Sequence, residues 1–153
     1  MEEDEYQSTY NELASVRCVF EKALTNNHAK CNLSRHFCLA DREGYSCKDS
    51  ESSFKCDELL EKLREKSVFV FKVRSIEGPL PHNMEIRVQV GGVMGLLRSL
   101  GSKDESLLEE AEIDDISEVL KKAIDKFGSL NNLPYSEIVQ SIEKFQVRRR
   151  RQR

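Results

Sequence analysis

Four cysteines fall within one short stretch, CNLSRHFCLADREGYSCKDSESSFKC, at Cys31, Cys38, Cys47 and Cys56. Six, eight and eight residues separate them, and a fifth cysteine, Cys18, stands apart. Thiolates that converge in threes or fours hold zinc or iron–sulfur clusters. Zinc sites usually carry a tight C-x2–4-C knuckle, which this chain lacks. Iron–sulfur sites accept wider spacing, because their ligands come from separate loops and helix ends. Arg35, Arg42 and Lys48 lie between the cysteines and would offset the negative charge of a thiolate-ligated centre. The pattern therefore nominates Cys31, Cys38, Cys47 and Cys56 as metal ligands, for an iron–sulfur cluster or zinc.

The four are not equivalent. Cys31, Cys38 and Cys47 fall in chain without apolar periodicity, which can wrap a centre. Cys56 falls in the expected first turn of a helix, where free N–H groups and the positive end of the dipole favour thiolate. It also shares a face with Leu59, Leu60 and Leu63, a competing duty in the core. Two other readings stand beside metal binding. Free cysteine packs as a small hydrophobe, and spaced thiols can do redox chemistry. His28 precedes the stretch and His36 lies within it, and either could replace a thiolate as in Cys3His zinc sites, although an ordinary surface histidine is the simpler reading.

Other features carry less chemistry. GGVMG, at 91–95, stands between an expected strand and helix, where glycines let an anion approach free N–H groups. It matches neither a dinucleotide fingerprint nor a P-loop, so a tight turn is the simpler account. PLPH, at 79–82, reads as a rigid connector. The end of the chain is basic, with Arg148, Arg149, Arg150, Arg151 and Arg153. Such a tail attracts phosphate or an acidic protein surface. Without stacking aromatics nearby, it does not argue for sequence-specific nucleic-acid recognition. No paired acids, Ser/His/Asp set or nucleotide loop points to catalysis, so a non-enzymatic role is expected.

These residues need elements to position them. A helix is expected over 4–26, from Tyr6, Tyr10, Leu13, Val16, Phe20, Ala23 and Leu24, ending at Asn26-Asn27. Cys18 lies off that stripe and is left without a role. A short helical turn is expected around 33–40, turns at Glu43-Gly44 and 49–52, and a helix over 53–66. VFVFKVR and MEIRVQV alternate like strands, which places a small two-stranded antiparallel sheet at about 68–74 and 84–90. Helices are expected over 93–100 and 105–112. A C-terminal helical hairpin follows: Asp114 or Asp115 caps 116–127, Gly128 ends it, and Pro134 opens the last helix. The fold class is therefore α+β, mostly helical, with residues 1–147 as a single globular domain and 148–153 as a basic tail.

Composition sets outer bounds. The chain has 153 residues, 39% apolar and 33% charged, with a net charge of −3. A domain of that length buries about 68–70% of its unfolded surface, so it needs no staple to fold. Nothing approaches the ~20 apolar residues of a membrane span, and the acidic start MEEDEY does not suit a secretory signal. A reducing cytoplasm is expected, where spaced cysteines serve as ligands or redox groups more often than as disulfides. The expected role is a small metal- or iron–sulfur-binding accessory protein that acts with a larger protein partner. The alternatives are a metal-free scaffold module docking through the C-terminal helices and arginine tail, and a thiol redox protein.

Overall fold

The computed structural model describes residues 3–5, 8–9, 16–26, 28–76, 80–101 and 113–145. In chain order the elements are α1 (Glu21–Thr25), β1 (Ser34–Leu39), β2 (Arg42–Cys47), α2 (Ser50–Lys66), α3 (His82–Ser99), α4 (Ile116–Phe127), a 3-10 turn at Leu130–Asn132 and α5 (Tyr135–Lys144). The class is α+β, mostly helical with a two-stranded antiparallel sheet. The expected helix over 105–112 and the arginine tail lie outside the described residues.

Helix α3 is the axis, with α1, α2, α4 and α5 packed around it. It replaces the expected strand at 84–90 and the expected turn at Gly91-Gly92. Met84, Ile86, Val88 and Val90 alternate in sequence, yet Glu85, Ile86, Val88, Gln89, Val90 and Val93 are all buried together. A helix surrounded on all sides presents no single apolar face, so its sequence carries no 3.6-residue stripe. Its buried carboxylate and amide are paired, whereas the buried Arg87 Nε has no hydrogen-bond partner among the described residues. Glu85, 1% exposed, takes an ion pair from Arg64 on α2 and accepts from the N–H of Leu80 at 3.2 Å. Gln89 accepts from the N–H of Ala23 on α1 at 3.1 Å. Gly91 and Gly95 lie one turn apart, with the backbone of α5 directly over both.

The segment 68–74 is not a strand either. Among the described residues it has no neighbouring strand to pair with. Its backbone bonds locally instead, with Phe71 N–H donating to Ser67 O at 3.2 Å and Val73 N–H to Val68 O at 3.1 Å. Local turns thus satisfy groups that a strand would have left open.

The sheet lies earlier, where a helical turn and loops were expected. β1 and β2 pair from Ser34↔Cys47 to Leu39↔Arg42. Ala40 and Asp41 form the two-residue turn with φ of 50° and 66°. That left-handed pair matches the twist of a tight hairpin, but neither residue is the glycine or asparagine that usually announces it. The C-terminal half follows expectation. Asp115 caps α4 by accepting from Ser117 N–H at 3.1 Å, Gly128 ends it at φ 89°, and α5 follows the 3-10 turn. Both arms of this hairpin lie mainly against α3 and the turn rather than against each other.

Candidate thiol site

Four cysteines line one pocket, but they are Cys18, Cys31, Cys47 and Cys56. Cys38, nominated from sequence, is exposed. The hairpin register explains its absence. Ser34, which lines the pocket, pairs with Cys47, while Cys38 pairs with Glu43 near the turn. Four residues of strand at about 3.3 Å each put Cys38 roughly 13 Å along the sheet.

Cys18 takes the fourth place because the chain before α1 is not helical at 16–20, contrary to the expected helix over 4–26. Arg17 forms an antiparallel bridge with Ser46. Cys18 N–H donates to Tyr45 O at 3.0 Å, and Cys47 N–H donates to Val16 O at 2.8 Å. Tertiary pairing has thus overridden the local helical pattern. β2 becomes the middle of a short three-segment arrangement, which carries Cys18 to the same pocket as Cys47. The misfit of Cys18 with its supposed apolar stripe was the one hint of this in the sequence.

The other cysteines are held by different elements. Cys31 follows a segment fastened to the entry of α4: Lys30 N–H donates to Ile113 O at 2.8 Å and Ile116 N–H to Lys30 O at 3.0 Å. Asp115 adds a bond from Asn32 N–H at 3.0 Å. Burial pushes the Asp115 carboxyl up, but the hydrogen bonds from Asn32 and Ser117 outweigh it and hold the group below its usual value. Cys47 closes β2, and its Sγ–H donates to Asp49 O at 3.1 Å. Asp49 caps α2, accepting from Ser52 Oγ at 2.6 Å. Helix α2 therefore starts three residues earlier than expected, at Ser50. Cys56 lies one turn deeper than expected, beyond direct reach of the free N–H groups.

Phe20, Leu33 and Ile116 complete the apolar wall, with Ser52 and Ser53 from the first turn of α2 and Ser117 from the first turn of α4. Two helix N-termini therefore border the thiols, and their partial positive charge favours thiolate. Burial works against it. Desolvation pushes Cys18 up to about 12, partly countered by a hydrogen bond from the Phe20 backbone and reinforced by the nearby Cys31 and Cys47. It pushes Cys56 to about 12 as well, with Cys31, Cys18 and Cys47 adding to the rise. At neutral pH, Cys18 and Cys56 are protonated unless a cation stabilises their thiolates.

Among the described residues, no carboxylate or imidazole lines the pocket. An all-sulfur donor set suits soft, thiophilic metals. Among the described residues, however, no group of three or more His, Cys, Asp or Glu side chains stands close enough together, as placed, to hold an ion. The cavity measures about 20 Å³. That is room for about one water. The chemistry of the donors fits a metal centre, and the side chains must draw together or part to receive one.

Compared with known protein families, curated proteins and solved structures, the chain matches none. No helix among the described residues is long and apolar enough to cross a membrane. His28 packs edge-on against Phe145 at 5.5 Å, and His36 leans on Tyr45 at 4.9 Å and faces Glu43 at 3.7 Å. Neither histidine lines the thiol pocket.

Proposed function

We propose that this protein binds a thiolate-ligated metal centre, an iron–sulfur cluster or zinc, through Cys18, Cys31, Cys47 and Cys56, and serves as a non-enzymatic accessory to a larger protein partner. The observation that carries this reading is the convergence of four free cysteines, from four separate segments, on one pocket. Unlike scattered core cysteines, they share one pocket bordered by the first turns of α2 and α4, where a negatively charged centre gains from the dipoles. When bound, the metal withdraws charge from sulfur and deprotonates each coordinating thiol outright. The chain's own residues supply the rest. Phe20, Leu33 and Ile116 limit water, the Asp49 cap positions α2, and the Asp115 cap holds the Cys31 loop. Phe54, on the same helix as Cys56, and Phe69 are 73% and 89% exposed, the kind of aromatic surface that partners cover.

Anaerobic purification followed by metal analysis and absorption spectroscopy tests the reading. A visible band with iron and sulfide identifies a cluster, and colourless protein with stoichiometric zinc identifies a single ion. Serine at Cys18, Cys31, Cys47 or Cys56 should each lower metal content, while Cys38→Ser should leave it unchanged. Metal-free protein, whose melting is indifferent to chelator and to added Zn²⁺, would rule the function out.

A further inference from the structure

Three of the pocket's cysteines are anchored independently of any ligand. Cys56 rides on α2, whose Leu59, Leu60 and Leu63 are buried. Cys47 ends a strand paired along its length with β1. Cys31 follows a segment bonded to the entry of α4. Cys18 is different. Among the described residues its segment meets the sheet at one bridge, Arg17 opposite Ser46, closed by two backbone hydrogen bonds, and Cys18 O accepts from Glu21 N–H at 3.3 Å. The donors of the two bridge bonds are the amides of Cys18 and Cys47 themselves. Phe20, 1% exposed, fixes the downstream end of the segment.

We propose that occupancy of the thiol pocket is a clamp on this segment: a bound metal zips Val16–Cys18 onto the outer edge of β2, and its loss lets that edge open. The inference rests on the metal-binding reading above. The step is a ligand exchange. A metal–sulfur bond forms at Cys18, the thiol proton leaves to solvent, and a metal-bound water departs. Once made, that bond ties Val16–Cys18 to Cys31, Cys47 and Cys56. The segment can then no longer lift without breaking coordination. Without it, local opening frees the Tyr45 carbonyl and the Cys47 N–H, which become unpaired edge groups of β2. The site thus sets the state of a sheet edge, and short bridges of this kind belong to the low-stability end of local opening.

Residue-resolved amide hydrogen exchange on the full chain tests the clamp. Metal-free protein is compared with protein loaded with Zn²⁺ alone and with protein reconstituted with Fe²⁺ and sulfide, with metal content measured on each sample. The Cys18 and Cys47 amides should exchange about tenfold faster or more in the metal-free state, while amides in the middle of α3 stay unchanged. In Cys18→Ala, which keeps every backbone donor, the Cys47 amide should exchange fast whether or not metal is added. Bound metal with equal protection at both amides overturns the clamp and leaves the metal site standing. Slow exchange at Cys47 in metal-loaded Cys18→Ala also overturns the clamp. No bound metal in any sample overturns the site and the clamp together.

Discussion

Replacing Gly95 with alanine adds one methyl group where α3 packs closely against the backbone of α5. An ideal Cβ there would sit 2.8 Å from Ile138 Cα, 2.9 Å from Ile138 O and 3.0 Å from Ile138 Cγ2. Carbon atoms rest at about 3.5–4.0 Å, so the shortfall to Ile138 Cα is roughly 0.7 Å or more. Two of the three obstructing atoms are backbone and cannot rotate away, so α5 must retreat as a body. A radial gap of about 0.5–1 Å forfeits a quarter to a half of each dispersion well it opens. Ile138 and Ile142, both fully buried, lie on that line. Alanine regains up to about 1 kcal/mol of helix propensity over glycine. Overpacking of this kind costs about 1–3 kcal/mol; with backbone atoms in the way the upper half of that range applies, and subtracting the propensity gain leaves a net loss of about 1–2 kcal/mol. For a chain of this length each kcal/mol lowers Tm by about 2–4 °C. Urea unfolding followed by far-ultraviolet circular dichroism reads the loss directly. Gly92→Ala is the internal control. Its nearest obstacles, from 2.6 Å, are all atoms of the Leu63 side chain, which can shift its rotamer, so it should cost less than Gly95→Ala. A Gly95→Ala protein as stable as the parent, or less harmed than Gly92→Ala, would refute the packing argument.

Three further outcomes are expected. Truncating Glu85 to alanine leaves Arg64 unpaired in a site where its side chain is 14% exposed, and should cost about 3–5 kcal/mol in chemical denaturation, whereas Arg64→Met with Glu85→Leu should recover most of it. In the hairpin, Ala40→Asn with Asp41→Gly relieves two left-handed residues and should raise stability by about 1 kcal/mol or more; an unchanged urea midpoint would contradict that turn. Metal-free protein should lose stability in alkali. Cys18 and Cys56 are raised from 9.0 to about 12, so folding opposes their ionisation. Their contribution is complete below about pH 9 and falls by up to ~1.4 kcal/mol per pH unit for each thiol as pH rises toward 12. Denaturation at pH 8 and 10, compared with Cys18→Ala, isolates the effect, and equal pH slopes would discount the burial. By the same logic, metal uptake should release protons and tighten with rising pH.

Where the chain obeys local rules, its structure was legible. Leu59, Leu60 and Leu63 mark α2, and the Asp115 cap with Gly128 brackets α4 because those groups act within one turn. Tertiary context hid the rest. α3 is enclosed by its neighbours and has no single apolar face, and its β-branched Ile86, Val88, Val90 and Val93 imitate strands. β1 and β2 are polar, and their turn uses Ala40 and Asp41 in place of the residues that tolerate positive φ best. Of the candidate site, Cys31, Cys47 and Cys56 could be picked out by proximity in sequence. Cys18 could not, because it reaches the pocket only through pairing with β2, and Cys38 was admitted for the same want of register.

The wall of the pocket has a place in time as well as in space. All four thiols are synthesised by residue 56, but Ile116 and Ser117, which close one side, come about 60 residues later. At translation rates of about 5–20 residues per second, that interval lasts roughly 3–12 seconds. During it the cysteines of the nascent chain have no α4 beside them and no Ile113–Ile116 segment to fasten the Cys31 loop. The order of synthesis therefore leaves an interval in which the thiols can meet solvent, oxidant or a metal donor before the fold encloses them.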